Sequence, residues 1–191
     1  MADKHHYFFA VKLPYEVKSY LDRWVQMHEP KFPFNRWVHP EDYHITLAFL
    51  GFAPKEMLEK AINDVREILS NQYTFELTLN ELGIFGPEKS PRIFWADVKY
   101  SKDLNSVQKL VYDTASKVGF ELDKKPFKPH ITLARKWKSD EPFNRDKLTS
   151  LKNSRGEEFT FPVSEIILYE THLDQTPKYK EFAKFTLKKA D

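Results

Sequence analysis

Two copies of one short motif hold the residues of this sequence that could carry out chemistry together. The string His-Ile-Thr-Leu-Ala begins at His44 and occurs again from His130. Successive side chains of a β-strand point to opposite faces, so we expect His44 to share a face with Thr46, and His130 with Thr132. Two such strands facing one cleft would place two imidazoles and two hydroxyls around a single central point.

That set of groups suits a phosphodiester. Threonine hydroxyls and protonated imidazoles donate hydrogen bonds to phosphate oxygens. With an unperturbed pKa near ~6.5, one imidazole could be neutral and take a proton from water while the other is protonated and delivers one to the leaving oxygen. The motifs offer only two histidines and the chain has no cysteine. We therefore predict no metal site and no cofactor, the phosphate charge being held by imidazolium, hydroxyls and nearby cations.

Basic and aromatic residues near the motifs are candidates for contacts to a substrate. The basic ones surround the second motif: Lys124, Lys125, Lys128, Arg135, Lys136 and Lys138. They could equally form a solvated face, and strict alternation puts Arg135 opposite to His130, so it reaches a phosphate only if the strand bends or ends there. Four aromatic residues could stack on a base, and the sequence does not choose among them: Trp37, Tyr43, Trp137 and Tyr169. We interpret the remaining histidines as structural: His5, His6, His28, His39 and His172.

The elements that must position the motifs follow from a repeat. The offset from His44 to His130 also lays Phe8-Phe9-Ala10 on Phe94-Trp95-Ala96, which indicates two related halves, each with one motif. Side-chain periodicity predicts helices over residues 17–28, 57–69 and 104–118. It predicts strands at residues 7–13, 44–50, 73–79, 93–98, 163–173 and 179–187, and through the second motif. Prolines predict an irregular loop over residues 30–40, and residues 140–156 are polar with at most a short helix. No flexible linker separates the halves, so we expect one domain over residues 1–191.

Composition narrows the classes of protein that this chain could be. Among 191 residues, 41% are hydrophobic, 30% are charged and the net charge is +2, which predicts a folded globular chain that does not hold duplex nucleic acid by bulk charge. The absence of cysteine excludes disulfides, thiolate metal sites and cysteine nucleophiles. No apolar run reaches the ~20 residues of a membrane helix, and the polar N-terminus lacks a secretory signal. We expect a cytoplasmic protein with no membrane partner.

The doubled motif resembles the signature of the 2H phosphoesterase superfamily, which is named for two His-x-Thr-x motifs. Within it, three segments resemble the bacterial RNA 2',3'-cyclic phosphodiesterases, also called 2'-5' RNA ligase-like proteins: residues 7–11, 44–51 and 127–135. The segment at Tyr169 also resembles a late family segment that usually carries serine where this chain has Thr171, a change that keeps the hydroxyl. The resemblance extends from about Tyr7 to Thr186.

The resemblance implies a fold and an activity. The fold is α+β, a bilobal pseudo-two-fold duplication with two antiparallel sheets lining a central cleft and helices outside. The activity is a phosphoric diester hydrolase that needs no metal and opens a 2',3'-cyclic phosphate at the end of an RNA or oligonucleotide to a 2'-phosphate. The family's assignment makes His44 the proton donor and His130 the acceptor, whereas the near-identical motifs alone leave that order open. We expect Thr46 and Thr132 at the phosphate, Arg135 as a substrate-binding residue, and a monomer.

Two alternatives remain open at this stage. Another enzyme of the superfamily could prefer a small cyclic nucleotide, ADP-ribose cyclic phosphate or a 2'-5' oligonucleotide, because the shared chemistry needs only the four motif residues. A protein of a different class would be a catalytically silent nucleotide- or RNA-binding module. Two intact motifs argue against that module, since binding alone does not require two titrating groups. A purely structural interaction protein is the least supported reading.

Overall fold

The computed structural model of this chain describes residues 5–189. Its strands are β1 (His6–Lys12), β2 (Phe34–Trp37), β3 (His44–Phe52), β4 (Phe75–Phe85), β5 (Ile93–Val98), β6 (Ile131–Trp137), β7 (Thr160–Val163), β8 (Glu165–Thr171) and β9 (Tyr179–Thr186). The α-helices are α1 (Tyr15–His28), α2 (Lys55–Leu69) and α3 (Lys102–Val118). Residues 1–4, the first part of the polar N-terminal segment discussed above, lie outside the described residues.

The strands form one continuous sheet, in the order β7-β4-β5-β6-β3-β1-β8-β9, with β2 paired to β6. The expectation of two separate antiparallel sheets is therefore wrong. The two groups of strands are joined where β3 and β6 run antiparallel and pair through Ile45 and Ile131. We call β3, β1, β8 and β9 the first half-sheet, and β2, β6, β5, β4 and β7 the second half-sheet.

Each half-sheet takes strands from both halves of the sequence. In the first half-sheet, β1 pairs with β3 on one side and with β8, from the far end of the chain, on the other. In the second half-sheet, β5 pairs with β6 and with β4, which comes from the first half of the chain. Strands from the two sequence halves are thus interlocked within each half-sheet.

The helices cover one face of the sheet and the motif side chains lie on the other. Ile45 and Ile131 are fully buried in the main core together with the apolar residues of the three helices. Because side chains alternate along a strand, the motif histidines and threonines point to the opposite face. A smaller cluster of Phe8, Ala10, Ile167 and Tyr169 fills part of that opposite face, which we call the cleft face.

A bulge in each motif strand changes which side chains point to the cleft face beyond it. A register shift leaves Leu47 without a partner in the β1–β3 pairing, and another leaves Leu133 without one in the β5–β6 pairing. Because a bulge adds one residue to the alternation, Phe49 and Arg135 return to the cleft face. The bulge at Leu133 is therefore the break in alternation that Arg135 needs in order to lie on the same face as His130.

The repeat is less regular than the sequence offset suggests. Thr46 pairs with Ala10, but Thr132 pairs with Trp95 rather than with Ala96. The predicted equivalence of residues 8–10 with residues 94–96 is thus wrong by one residue. The physical reason is that consecutive residues of both β1 and β5 are apolar. The two strands can therefore be aligned in either of two registers that match apolar residues equally well.

Three further elements differ from the sequence-based prediction. The loop expected over residues 30–40 contains β2, which adds an edge to β6. β4 continues to Phe85, and the strand expected at residues 163–173 begins as β7 and resumes as β8 after Ser164. The polar segment at residues 140–156 holds the short helix that the sequence allowed, a 3₁₀ turn over Arg145–Lys147.

The helix ends follow local signals. The Ser101 hydroxyl accepts a hydrogen bond from the Leu104 amide at 3.1 Å and so caps α3, which ends at Gly119 with φ of 115°. Helices α1 and α2 begin directly after Pro14 and Pro54. Over residues 5–189, no helix has the length and apolarity that crossing a membrane would require.

The β4–β5 pairing depends on a glycine. Gly83 lies opposite Trp95, and a Cβ atom at Gly83 would lie 2.2 Å from Cη2 of the indole, which is only 6% exposed. We expect Gly83→Ala to lower the free energy of unfolding by about 1–3 kcal/mol, because the ring has no room to move. Urea denaturation measures this change. In a Trp95→Phe background, which removes the clashing atoms, the same substitution should cost less; an equal cost in both backgrounds would contradict this explanation.

Candidate active site

The pairing of Ile45 with Ile131 brings the four motif side chains together. In an antiparallel pair, the flanking positions then place His44 opposite Thr132 and Thr46 opposite His130, all on the cleft face. Side chains at such opposed positions have Cβ atoms about 4.5–5.5 Å apart. The two imidazoles therefore lie diagonally across one small square of side chains, as the sequence predicted.

Backbone carbonyls fix the orientation of both imidazoles. Nδ1 of His44 donates to the Asp42 carbonyl at 2.7 Å, and Nδ1 of His130 donates to the Lys128 carbonyl at 2.8 Å. Because a carbonyl can only accept, Nδ1 carries the proton in each neutral ring and Nε2 keeps a lone pair. The Thr46 hydroxyl lies 3.0 Å from Nε2 of His44 and donates to it. Nε2 is thus the atom through which each ring can exchange a proton.

Aromatic rings form the walls around both histidines. The His44 ring lies 4.8 Å from the Phe8 ring and 5.1 Å from the perpendicular ring of Tyr179, measured between centroids. The His130 ring meets the edge of Phe85 at 4.9 Å. These contacts hold the rings in place and exclude water from one side of each.

This environment keeps both imidazoles neutral. Burial lowers the pKa of His44 to about 4, and the positive charges of His130 and Arg135 act in the same direction, against the hydrogen bond to Asp42. Burial also lowers the pKa of His130, as do the neighbouring charges of Arg135 and Lys128. The expectation of one neutral and one protonated ring near pH 7 therefore does not hold for the unliganded protein. Both rings are uncharged until an anion arrives.

A first cavity of about 210 Å³ opens beside His44 and Thr132. Its walls also include Arg36, Arg135 and Lys178, and burial together with the charges of both arginines lowers the pKa of Lys178. Within residues 5–189, none of these three cations forms an ion pair with a carboxylate. The one carboxylate in the lining, Asp42, carries a single negative charge against these three cations, so the cavity is positive overall and suited to an anion.

Asp42 connects the first motif to the loop between β8 and β9. Its side chain is buried, and its carboxylate accepts hydrogen bonds from the amides of Lys178 at 3.0 Å and Tyr179 at 3.1 Å. The carbonyl of the same residue holds Nδ1 of His44. Asp42 therefore holds both the His44 ring, through its carbonyl, and the loop before β9, through its carboxylate. The main-chain amides of that loop satisfy the negative charge of the carboxylate.

A second cavity of about 770 Å³ opens on the other side of the square, beside Thr46 and His130. Aromatic residues dominate part of its lining, with three cations at its walls: Phe49, Phe85, Tyr112, Phe127, Arg92, Lys125 and Lys128. The Lys128 ammonium lies over the rings of Phe85 and Trp95, 5.2 and 4.8 Å from their centroids. This cavity offers apolar surface and positive charge next to the reaction centre.

The sequence-based candidates divide into those that reach the cavities and those that do not. Arg135 lines the first cavity, and Lys125 and Lys128 line the second, while Lys124, Lys136 and Lys138 line neither. Of the four aromatic candidates, Trp37 alone lines one of these two cavities. Tyr43 is buried in the core, Trp137 packs against Phe34 and Phe143, and Tyr169 lies beneath His44.

Sequence reasoning missed several residues of the site. Arg36 comes from β2, Lys178 from the loop before β9, and Phe85 from the end of β4. None of them lies within a motif, and each enters the site because a distant strand packs beside a motif strand. The doubled motif carries no signal for such partners.

Comparisons with known proteins agree with this geometry. A family model described as the 2'-5' RNA ligase superfamily matches residues 14–175. An RNA 2',3'-cyclic phosphodiesterase of Geobacillus stearothermophilus is 42% identical over 184 residues, 96% of this chain; the chain spans 58% of that relative's length. One of Bacillus subtilis is 33% identical over 182 residues, 95% of this chain and 96% of the relative. The crystal structure of Escherichia coli LigT complexed with 3'-AMP matches with a TM-score of 0.79 and 26% identity, over 96% of this chain and 98% of that one.

The lowered pKa of His44 gives a pH-dependent expectation. By NMR, the His44 ring should remain neutral until about pH 4 in the unliganded protein, with a His44→Gln variant to assign its signals. The folded-state pKa lies below the unfolded value of about 6.5, so the unfolded chain takes up this proton first. Above about pH 6.5, protonation of His44 therefore leaves the free energy of unfolding unchanged. As the pH falls from 6.5 towards 4, the unfolded chain binds this proton and the folded chain does not, so the free energy of unfolding decreases. A midpoint at or above 6.5 would contradict the burial argument.

Proposed function

This chain belongs to the 2'-5' RNA ligase superfamily, and we propose that it is an RNA 2',3'-cyclic phosphodiesterase. It opens the cyclic phosphate at the end of an RNA to a 2'-phosphomonoester. The observation that carries this proposal is the square of His44, Thr46, His130 and Thr132 beside three cations that line one cavity: Arg36, Arg135 and Lys178. The two relatives named as RNA 2',3'-cyclic phosphodiesterases support the same activity.

The phosphate of the substrate binds at the square, on the side of the first cavity. Arg135, Arg36 and Lys178 supply the positive charge that its oxygens need. Hydroxyls of Thr46 and Thr132 donate hydrogen bonds to those oxygens from either side. Hydrogen bonds to a charged oxygen contribute about 1.5–3 kcal/mol each, and more where water is excluded. No metal ion is required for this charge balance.

The reaction is an exchange of one phosphorus–oxygen bond for another. His130 accepts a proton at Nε2 from a water molecule, whose oxygen attacks the phosphorus. The bond from phosphorus to the 3'-oxygen breaks, and His44 donates the proton of its Nε2 to that leaving oxygen. The product carries a 2'-phosphate and a 3'-hydroxyl. His44 ends neutral and His130 protonated, and proton exchange with solvent restores the starting state.

Binding of the substrate favours the protonated form of His44. With a pKa near 4 in the unliganded protein, His44 holds no proton at Nε2 at neutral pH. A phosphate anion beside Nε2 favours the imidazolium and raises that pKa, against the opposing effect of Arg135. Binding of the phosphate anion and protonation of His44 are therefore coupled. The resulting pH profile of the rate is a bell whose limbs belong to the histidine pair.

The second cavity favours an oligonucleotide over a small cyclic nucleotide. Its volume of about 770 Å³ lies beyond the reacting phosphate and has aromatic walls and cations. Aromatic faces stack on bases without regard to sequence, and lysines and arginines follow the backbone. Trp37, at the wall of the first cavity, is available to the terminal base. The single domain over residues 1–191, the monomeric state and the cytoplasmic location stay predictions.

The activity is tested with an oligoribonucleotide that ends in a 2',3'-cyclic phosphate. With excess EDTA present, we expect full turnover to a 2'-phosphate, identified by ³¹P NMR, because protein groups hold the phosphate charge. A 2',3'-cyclic mononucleotide serves as the comparison, and we expect a lower kcat/KM for it because it leaves the second cavity empty. Loss of activity with chelator and rescue by a divalent ion would contradict the metal-free mechanism. A 3'-phosphate product would contradict the assigned leaving group.

The motif residues should differ in the size of their effect on kcat. His44→Ala and His130→Ala each remove a proton-transfer group and should lower kcat about 10²–10⁴-fold. Thr46→Val and Thr132→Val remove one hydrogen bond to a charged oxygen and should lower it about 10–100-fold.

Thr160→Val is the matched control for these threonine variants, because its exposed hydroxyl contacts Thr78 on the distant β7–β4 pair. It should retain full turnover. Near-normal turnover of folded His130→Ala would rule out the two-histidine mechanism. No turnover by the folded wild-type chain, with the oligonucleotide still bound, would favour the binding module.

A further inference from the structure

A second group of histidines lies on the helix face of the sheet, away from the motif residues. His5, Glu170 and His172 each offer one ligand atom, and these atoms all lie within 4.8 Å of one another. Tyr7 pairs with Glu170 in the β1–β8 ladder, and continuing that register places His5 opposite His172. Tyr169 belongs to the cleft face, so its neighbour Glu170 points to the opposite one.

Hydrogen bonds orient these side chains as they do in metal sites. Nδ1 of His5 donates to the Thr171 carbonyl at 2.9 Å, which leaves its Nε2 with a lone pair. Histidines that bind metals commonly donate their other ring nitrogen to a backbone carbonyl in this way. The Tyr7 hydroxyl donates to Oε1 of Glu170 at 2.8 Å, which leaves Oε2 directed towards Nε2 of His172.

The carboxylate of this cluster is ionised. Burial raises the pKa of Glu170, but the hydrogen bonds from Tyr7 and His172 outweigh that effect and lower it overall. The same contact and burial raise the pKa of Tyr7 to about 12. Each oxygen of Glu170 accepts one hydrogen bond, Oε1 from Tyr7 and Oε2 from His172, so the carboxylate is held in place beside the His172 ring.

The ligand atoms of the cluster lie within reach of the spacing around a tetrahedral divalent cation. Ligand atoms of tetrahedral Zn²⁺ lie about 3.3 Å apart, given metal–ligand distances of about 2.0–2.1 Å. Oε2 of Glu170 and Nε2 of His172 are 2.8 Å apart, so this pair needs to open by about half an ångström. The separations to the His5 nitrogen are at most 4.8 Å, so the His5 ring needs to move in by up to about 1.5 Å. The rings of His5 and His172 pack with centroids 4.3 Å apart. Because a carboxylate only accepts, Nε2 of His172 carries the proton that it donates to Oε2 of Glu170, and a bound cation would take the place of that proton.

We propose that His5, Glu170 and His172 form a Zn²⁺ site that ties the start of β1 to the turn after β8. Two imidazoles and one carboxylate leave the fourth position for water, and nitrogen ligands favour zinc over magnesium or calcium. This site is separate from the proposed catalysis, which takes place on the cleft face and needs no metal.

The site would stabilise the loop that forms one wall of the first cavity. The His172 amide donates to the Lys178 carbonyl at 2.7 Å, and the Lys178 amide donates to Asp42. A cation bound to His172 would therefore anchor the start of the loop between β8 and β9, and Lys178 at the end of that loop contacts Asp42 beside the first motif. The expected effect is on stability, while turnover continues in the presence of EDTA.

The test uses the full chain without a histidine tag, freed of metal by EDTA and dialysis. Isothermal titration with Zn²⁺ should show one ion per chain. Zn²⁺ at about 100 times its dissociation constant should raise Tm by on the order of 5–10 °C, whereas Mg²⁺ should leave Tm unchanged. Binding should weaken as the pH falls, because protons compete for the imidazoles.

Substitutions distinguish this site from the motif histidines. His5→Ala, His172→Ala and Glu170→Gln should each abolish or strongly reduce the Zn²⁺-dependent rise in Tm, with circular dichroism to confirm that the variants fold. His6→Ala, the neighbouring exposed histidine, and the double variant His44→Ala/His130→Ala should retain it. A rise that persists in His5→Ala and His172→Ala, or that disappears in the double variant, would overturn the proposal. So would a wild-type chain that does not respond to Zn²⁺.

Discussion

The pairing of Ile45 with Ile131 is the contact on which the candidate active site depends. Both side chains are fully buried, and burial of an isoleucine contributes about 1.5–3 kcal/mol. Because alternation along a strand is strict at this point, a slip of either strand by one residue would turn its histidine into the core. The β1–β3 and β5–β6 ladders on either side hold the register, so the geometry of the imidazoles follows from the packing of the whole sheet.

The electrostatic character of the site follows from the same burial. Aromatic walls and the sheet remove water from both imidazoles and keep them neutral, and the nearby charge of Arg135 acts in the same direction. In a partly dry site, an unpaired cation attracts an anion more strongly than it does in water. The unliganded protein therefore carries excess positive charge at the place where we propose that the phosphate binds. In that proposal, the substrate supplies the missing negative charge and favours protonation of His44.

The sequence indicates much of this arrangement, and its failures have identifiable causes. Local periodicity located the helices, and the repeated motif predicted that His44 and His130 share one face. The continuous sheet was missed because it depends on a single pair, Ile45 with Ile131, which no local pattern marks. The sequence left the face of Arg135 conditional on a bend in the strand, because a bulge at Leu133 is invisible in a run of apolar residues. Arg36 and Lys178 were missed because only the tertiary fold brings them to the motifs.

The exchange of strands between the two halves has a consequence for synthesis on the ribosome. The second half-sheet can pair β4, β5 and β6 as soon as β6 has emerged, but β1 cannot pair with β8 until the chain is almost complete. Translation at about 5–20 residues per second leaves the nascent β1, with Phe9 and Val11 that end fully buried, waiting for several seconds with one open edge. An open apolar strand edge is a site of aggregation. A chain that terminates before β8 therefore exposes that edge permanently and becomes a substrate for chaperones and proteases.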